Sequence, residues 1–152
     1  TLEDLSETNL GRFNAKYLKY GDTIFASKND DRIGARSGDD YLWGMKGDDT
    51  LLGGNGDDVI TGGKGYDFLE GGSGSDVFVI SKKNGKKRKN MDYILDFEIG
   101  LDYIFIDGST RKLSIDSYEG DAVIVRGKRD IIAYVEGAGG QLNWSSDGGW
   151  IV

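Results

Sequence analysis

The chain has 152 residues and a net charge of −7, with 25 glycines and no proline, cysteine or histidine. Disulfides, Cys/His zinc sites and catalysis through histidine or cysteine are therefore excluded. No apolar run is long enough for a membrane helix, and the negative charge argues against general nucleic-acid binding. A soluble acidic domain remains, in which glycine and aspartate have a special task.

The first segment, residues 1–19, is predicted to be an N-terminal cap. Leu10, Phe13, Tyr17 and Leu18 have the spacing of a short amphipathic helix. Such a helix would cover the open first coil of a repeat structure, as solenoids require.

Residues 20–80 contain a nine-residue repeat, G-G-x-G-x-D-x-U-x, in which U is a large apolar residue. The aspartates of this register are Asp22, Asp31, Asp40, Asp49, Asp58, Asp67 and Asp76. The apolar residues two positions later are Ile24, Ile33, Leu42, Leu51, Ile60, Leu69 and Phe78. The units before residue 35 are less regular, because Asn29 and Tyr20 stand where later units have glycine.

Each part of this unit has a physical interpretation. Glycine allows positive φ, so the loop can turn its carbonyl groups inward, and x-U-x is a short strand with its middle residue on one face. Two units would make one coil of a flattened parallel β-helix, which stacks aspartates eighteen residues apart at about 4.8 Å. Stacked carboxylates repel unless a cation lies between them, and oxygen ligands favour calcium over zinc or copper.

The repeat resembles the RTX (repeats-in-toxin) calcium-binding nonapeptide family, closely over residues 35–79 and weakly back to about residue 20. Similar C-terminal modules occur in serralysin-type proteases and in the R-modules of alginate epimerases. The resemblance implies an all-β fold, a parallel β-roll followed by an antiparallel β-strand cap, with about three to five Ca²⁺ ions between its loops.

Ligands implied by the resemblance are repeat aspartates eighteen residues apart, together with loop carbonyls. The aspartates are Asp31, Asp40, Asp49, Asp58, Asp67 and Asp76, paired as 31/49, 40/58, 49/67 and 58/76, with 22/40 in doubt. The carbonyls come from Gly38, Gly47, Gly54, Gly56, Gly63, Gly65, Gly72 and Gly74. Asp39, Asp48 and Asp57 are expected to point outward as solvated charges or supporting groups.

The residues beside each U position are divided between two outer faces of the roll. One face is mostly apolar and carries Thr23, Phe25, Tyr41, Trp43, Val59, Thr61, Val77 and Val79. We expect the C-terminal or N-terminal segment to cover it. The alternative is a partner or carbohydrate surface around Tyr41 and Trp43, which requires Trp43 to be exposed.

Residues 81–90 form a basic loop, with six basic residues between positions 82 and 89. The simpler interpretation is a solvated loop that balances the acidic roll. The alternative is a docking site for an acidic polymer, with contacts from Lys86, Lys87, Arg88 and Lys89.

Residues 91–152 are predicted to be a β-rich cap. Two strands and a turn are expected over 91–106, and further strands over 112–118, 121–126 and 130–135. Asp92, Asp96 and Asp102 are either an additional calcium site or solvated turn residues. The tail, 147–152, loosely resembles the uncleaved C-terminal signal for type I secretion, and no N-terminal signal peptide is found.

Two classes of function follow. The first is a non-enzymatic calcium-binding module of a secreted or cell-surface protein, which folds on calcium after export by the type I machinery. The second is an accessory module that positions a polysaccharide-modifying enzyme, and self-assembly into layers or filaments is a third option. No catalytic motif is found, so we predict no enzymatic activity. Expected partners are calcium, an upstream domain, a polysaccharide or further copies of the chain, and we expect no nucleic acid and no transmembrane segment.

Overall fold

The computed structural model describes residues 13–14, 20–81, 90–108, 112–127, 130–145 and 150–152. Most of the predicted N-terminal cap, the basic residues Lys86, Lys87, Arg88 and Lys89, and residues 147–149 of the predicted secretion tail lie outside the described residues. Within the described residues the chain forms strands only, and it contains no helix that could span a membrane.

Fourteen strands lie within the described residues and are numbered in chain order. They are β1 (Phe13–Asn14), β2 (Thr23–Phe25), β3 (Arg32–Ser37), β4 (Tyr41–Trp43), β5 (Thr50–Asn55), β6 (Val59–Thr61), β7 (Phe68–Ser73), β8 (Val77–Ser81), β9 (Asp92–Ile94), β10 (Tyr103–Asp107), β11 (Leu113–Tyr118), β12 (Asp121–Arg126), β13 (Asp130–Val135) and β14 (Trp150–Ile151).

The repeat strands form two facing sheets, because each nine-residue unit crosses to the opposite sheet. One sheet has the order β1-β3-β5-β7-β9-β13-β12-β11, and the other has the order β14-β10-β8-β6-β4-β2. In the repeats the pairing is parallel with an eighteen-residue offset, so Ile33 pairs with Leu51 and Leu42 pairs with Ile60. This is the predicted parallel β-roll, and the all-β prediction is confirmed.

The core of the roll is a single column of apolar side chains between the sheets. Residues at the U positions are at most 2% exposed: Ile24, Ile33, Leu42, Leu51, Ile60, Leu69 and Phe78. Burial of each such side chain stabilises the fold by about 1.5–3 kcal/mol. The same alternation that buries the U residue also turns the aspartate two positions earlier inward.

Parallel stacking continues beyond residue 80 through β9 and β10. Tyr93 pairs with Phe68, and Ile104 pairs with Phe78, so the offset changes from eighteen residues to 25 and 26. The extra length corresponds to the chain between β8 and β9, which includes the basic loop. Residues 91–106 therefore complete another coil of the roll and do not pair as a hairpin.

The antiparallel cap begins after this coil. Strand β13 pairs in parallel with β9, and β12 and β11 then follow as an antiparallel meander. Strand β14 pairs antiparallel with β10 at the edge of the other sheet. The strands predicted over 112–118, 121–126 and 130–135 are present with nearly the same bounds.

Two expectations differ from the structure. Phe13–Asn14 is a strand that pairs in parallel with β3, whereas the spacing predicted a helix there. Tyr41 and Trp43 remain 58% and 49% exposed, so no segment that the structure describes covers this part of the apolar face, contrary to the prediction. At Phe13–Asn14, pairing with the open edge of the sheet satisfies backbone N–H and C=O groups. This pairing competes with helix formation.

Candidate metal centre

The repeat aspartates stack in two columns, one along each edge of the roll. In the first column the backbone N–H of Asp40 donates to Oδ1 of Asp58 at 2.7 Å, and that of Asp58 donates to Oδ1 of Asp76 at 2.9 Å. In the second column the N–H of Asp31 donates to Oδ1 of Asp49, and that of Asp49 donates to Oδ1 of Asp67. All four predicted pairs are thus brought together.

The doubtful pair is also in contact, since the N–H of Asp22 donates to Oδ1 of Asp40 at 2.6 Å. The columns place one carboxylate between each pair of successive loops. Each carboxylate uses one oxygen to hold the preceding loop, which leaves the second oxygen for another partner.

That second oxygen has no hydrogen-bond partner although it is buried. This holds for Oδ2 of Asp40, Asp49, Asp58, Asp67 and Asp76, and these side chains are 0% exposed. A buried oxygen without a partner costs about 1–3 kcal/mol, and more when it is charged. Five such atoms in one regular array indicate that a bound group completes the site.

The first glycine of each unit forms the wall that faces this oxygen. A Cβ at Gly44 would lie 2.6 Å from Oδ2 of Asp49 and would also collide with the carbonyl oxygen of Gly62 in the next coil. A Cβ at Gly53 would likewise collide with Oδ2 of Asp58 and would lie 2.7 Å from the carbonyl oxygen of Gly71. In these units carboxylate and carbonyl oxygens therefore face one small space into which a Cβ would protrude, whereas the earlier unit has Ala35 at the equivalent position.

The predicted ligand glycines occupy the second and fourth positions of the loops. Gly38, Gly47, Gly54, Gly56, Gly63, Gly65, Gly72 and Gly74 all have positive φ, between 103° and 140°. A Cβ at the first-position glycines Gly44, Gly53, Gly62 and Gly71, however, would collide with Oδ2 of the aspartate five residues later, so these glycines also adjoin the orphaned oxygens. The Gly-Gly pairs of the sequence were the signal for the last three of these, and the ligand assignment by resemblance passed over them.

Burial raises the pKa of Asp40, Asp49, Asp58, Asp67 and Asp76 in the columns. Desolvation is the largest cause at each position, and it raises the pKa of Asp49 to about 8 and that of Asp58 to about 7. It also raises the pKa of Asp67 and of Asp76 to about 6. Neighbouring aspartates of the same column add to the shift at Asp49, Asp58 and Asp76. The columns thus concentrate negative charge that needs a cation or protons to be stable.

The irregular unit at residues 26–34 treats its aspartate differently. Ser27 stands at the second position, and both its backbone N–H and its hydroxyl donate to Oδ2 of Asp31, at 2.8 and 2.7 Å. Asp31 keeps Oδ1 as its unpartnered buried oxygen. Here a side-chain hydroxyl occupies part of the space that glycine leaves open elsewhere.

Asp92, Asp96 and Asp102 do not form one common site. Asp102 extends the first column, since its Oδ1 accepts the N–H of Asp76 at 2.9 Å. Asp92 extends the second column beside Asp67, and burial followed by the charge of Asp67 raises its pKa well above the usual value. Of the two alternatives, the one in which the three aspartates join in a single additional site is therefore wrong, because the two columns lie on opposite edges of the roll.

Asp96 has a third environment. Its two carboxylate oxygens accept the N–H groups of Gly71 and Gly72 at 2.9 and 2.8 Å, so it holds the last glycine pair of the repeats.

The sequence does contain a signal for the two column positions. Asp92 and Asp102 each stand two residues before an isoleucine, as repeat aspartates do, although their spacing breaks the nine-residue period.

The outward aspartates also form ladders, in the opposite sense to the columns. Oδ1 of Asp39 accepts the N–H of Asp57, and Oδ1 of Asp48 accepts that of Tyr66, both at 2.9 Å. Asp57 receives the N–H of Ser75 at 2.8 Å in the same way. These side chains point outward as predicted, and in addition they hold successive loops together.

The columns fit calcium on the chemistry of their donors. Within the described residues, no group of three or more His, Cys, Asp or Glu side chains forms a metal site. Side chains alone therefore do not supply a full ligand set, and backbone carbonyl oxygens must complete it beside the aspartates. Calcium accepts six to eight such hard ligands in flexible geometry, whereas magnesium demands a smaller, nearly octahedral set. A calcium ion there would neutralise the buried carboxylates and engage the orphaned oxygens.

Comparison with known proteins gives consistent results. The profile for the RTX calcium-binding nonapeptide repeat matches residues 19–51, and the profile "Peptidase M10 serralysin C terminal" matches residues 42–139. No curated protein matches the chain. The solution structure of the AlgE6R3 subunit of the Azotobacter vinelandii mannuronan C5-epimerase is similar over 79% of this chain and 72% of that chain. Its identity is 22% and its TM-score is 0.32, too low to support any argument.

Both matching profiles describe calcium-binding repeat or C-terminal regions, and neither describes a catalytic domain. The serralysin profile alone spans more than half of the residues. The chain belongs to the family of serralysin C-terminal domains and contains RTX calcium-binding repeats.

Proposed function

We propose that this chain is a calcium-binding module of a secreted protein, without catalytic activity of its own, which folds when calcium fills the aspartate columns. The observation that carries the proposal is the regular array of buried Oδ2 atoms without partners. We assign the ligands to the predicted aspartates Asp31, Asp40, Asp49, Asp58, Asp67 and Asp76, together with loop carbonyls, and expect about three to five ions.

Folding and calcium binding are coupled in this proposal. Without calcium the columns would stack charged carboxylates at about 4.8 Å, out of contact with water. The core that opposes this cost is small in the repeats, because each coil contributes its two U residues and few further apolar side chains. Binding free energy then becomes folding free energy, as in other sites that do not exist in the unfolded chain.

The location of the protein follows from the same energetics. Extracellular calcium modules bind with dissociation constants of about 10⁻⁴–10⁻³ M, which cytosolic calcium does not reach. The chain would remain unfolded in the cell, pass the type I machinery and fold outside. An upstream domain, a polysaccharide and further copies of the chain remain the predicted partners.

Two neighbouring aspartates provide a matched test. Asp58→Asn keeps an oxygen that can accept the N–H of Asp40, but it replaces the orphaned oxygen by an amide group and removes the charge. Asp57→Asn makes the same chemical change on the outer ladder, where the amide oxygen can still accept the N–H of Ser75. Calcium titration followed by circular dichroism compares the two variants.

We expect the unchanged chain to gain β structure with calcium and to lose it in chelator. Asp58→Asn should raise the calcium concentration at the folding midpoint by about tenfold or more, while Asp57→Asn should change it by less than about threefold. A fully formed roll in excess chelator contradicts the proposal, as do equal midpoints for the two variants.

A further inference from the structure

A trough crosses the outer face of the six-stranded sheet. Its floor consists of the small residues Val59 and Thr61 on β6 and Val79 on β8. Aromatic residues stand on the strands at either side, with Tyr41 and Trp43 on β4 and Phe105 on β10. The pairing aligns Trp43, Thr61, Val79 and Phe105 in one row across the sheet.

The row gives the trough its width. Strands β4 and β10 are separated by two intervening strands, so their backbones lie about 14 Å apart. The space between the walls has a volume of about 600 Å³. Ligand sites for small molecules are of this size, with mostly apolar linings.

Both walls are held by further aromatic contacts. The ring of Trp43 stacks on Phe25 with centroids 5.5 Å apart, and Phe105 packs on Trp150 at 4.8 Å. Tyr103 meets the edge of the same Trp150 ring at 6.2 Å. The walls are therefore preorganised, which lowers the ordering cost of binding a ligand between them.

One residue at the rim adopts a costly backbone conformation. Met45 has a φ of 71° at a loop position where the later units have glycine, and its side chain lines the trough while remaining 45% exposed. A non-glycine residue in this region costs about 1–2 kcal/mol. Such strain tends to occur at functional sites, where the side chain repays it.

Polar groups lie at one end of the trough. Ser81 and Asp107 end strands β8 and β10, and Lys64 follows β6. Lys64 and Asp107 are the charged residues of the lining that the structure describes, one of each sign, so the described part of this end carries donors and acceptors but no net charge. The lining thus suits an uncharged ligand with hydroxyl groups and an apolar face.

We propose that this trough binds a neutral oligosaccharide, whose sugar rings would stack on Trp43 and Phe105 and whose hydroxyl groups would contact the polar end. The proposal does not rest on the metal sites, except that the roll must be folded. It adds a ligand of a different class to the proposed calcium function.

The calcium-loaded chain is titrated by calorimetry with the hexasaccharides of glucose (β1,4- and α1,4-linked), N-acetylglucosamine and mannose, and with hexagalacturonate as the charged comparison. We expect at least one neutral probe to bind with a dissociation constant below about 1 mM. Trp43→Ala should weaken this binding by about tenfold or more. Thr61→Trp fills the floor and should abolish it.

Tyr118→Ala is the control, since Tyr118 is 56% exposed on β11 of the other sheet and should leave the affinity unchanged. Circular dichroism in calcium checks that each variant is folded, and either trough variant alone suffices for the comparison. Three results overturn the proposal: no neutral probe binds at about 10 mM, the folded trough variants bind as well as the control, or the uronate binds more tightly than every neutral probe.

Discussion

Replacement of Met45 by glycine should stabilise the calcium-loaded roll. Met45 has a φ of 71°, whereas the equivalent residues Gly54, Gly63 and Gly72 adopt φ values between 103° and 122° without steric cost. The strain at Met45 amounts to about 1–2 kcal/mol, and glycine costs about 0.5–1 kcal/mol in chain entropy. The difference is a net gain of about 0.5–1 kcal/mol, less the contacts that the half-exposed Met45 side chain loses.

Urea denaturation in saturating calcium measures this gain, and a rise of about 1–4 °C in Tm should accompany it. Lys46→Gly is the control, since Lys46 is exposed, has no positive φ, and should only lose stability. Arg36→Gly should behave like Met45→Gly, because Arg36 has a φ of 82° at the same loop position. Destabilisation by both Met45→Gly and Arg36→Gly would refute the strain argument.

Two further predictions concern the aspartate columns. The backbone conformation of Gly62 allows alanine, but the Cβ of Gly62→Ala would lie 2.5 Å from Oδ2 of Asp67. The calcium concentration at the folding midpoint, followed by circular dichroism, should therefore rise several-fold. An unchanged midpoint contradicts the proposed site. Burial raises the pKa of Asp49 to about 8 and that of Asp58 to about 7, so the metal-free fold binds protons more tightly than the unfolded chain. Its stability should therefore increase as pH falls from about 8 to about 4 in chelator, and a loss of β structure over this range contradicts the assignment.

The parallel roll could be predicted because its period appears directly in the sequence. The side chain two residues after each repeat aspartate must be apolar to fill the core. Ile60 and Phe78 meet this condition, and both are fully buried. The inward direction of the aspartates follows from the same alternation. Asp40, Asp58 and Asp76 therefore stack at the spacing that the repeat implies.

The parts that were not predicted depend on chain pairing rather than on period. Asp92 and Asp102 enter different columns because the chain between β8 and β9 shifts the offset to 25 and 26 residues, which a nine-residue count cannot show. Phe13 joins a sheet edge, although its spacing was that of a helix. The exposure of Trp43 depends on where the C-terminal strands lie, and they extend the sheet edge instead of covering its face.

Outer-ladder contacts could not be read from composition either. Asp48 and Asp57 look like solvated charges in the sequence, and only the stacking of loops reveals that each accepts an N–H from the following coil. Aspartate thus has two separate tasks in adjacent positions, one on the buried columns and one on the exposed ladders.

The central claim is that calcium completes the buried aspartate columns, and a direct count of bound calcium against folding tests it. Equilibrium dialysis and circular dichroism on the same samples should show about three to five ions bound per chain, with β structure appearing over the same calcium range. Magnesium at the same concentrations should not produce the transition. A chain that reaches its full β structure with no calcium bound would contradict the account.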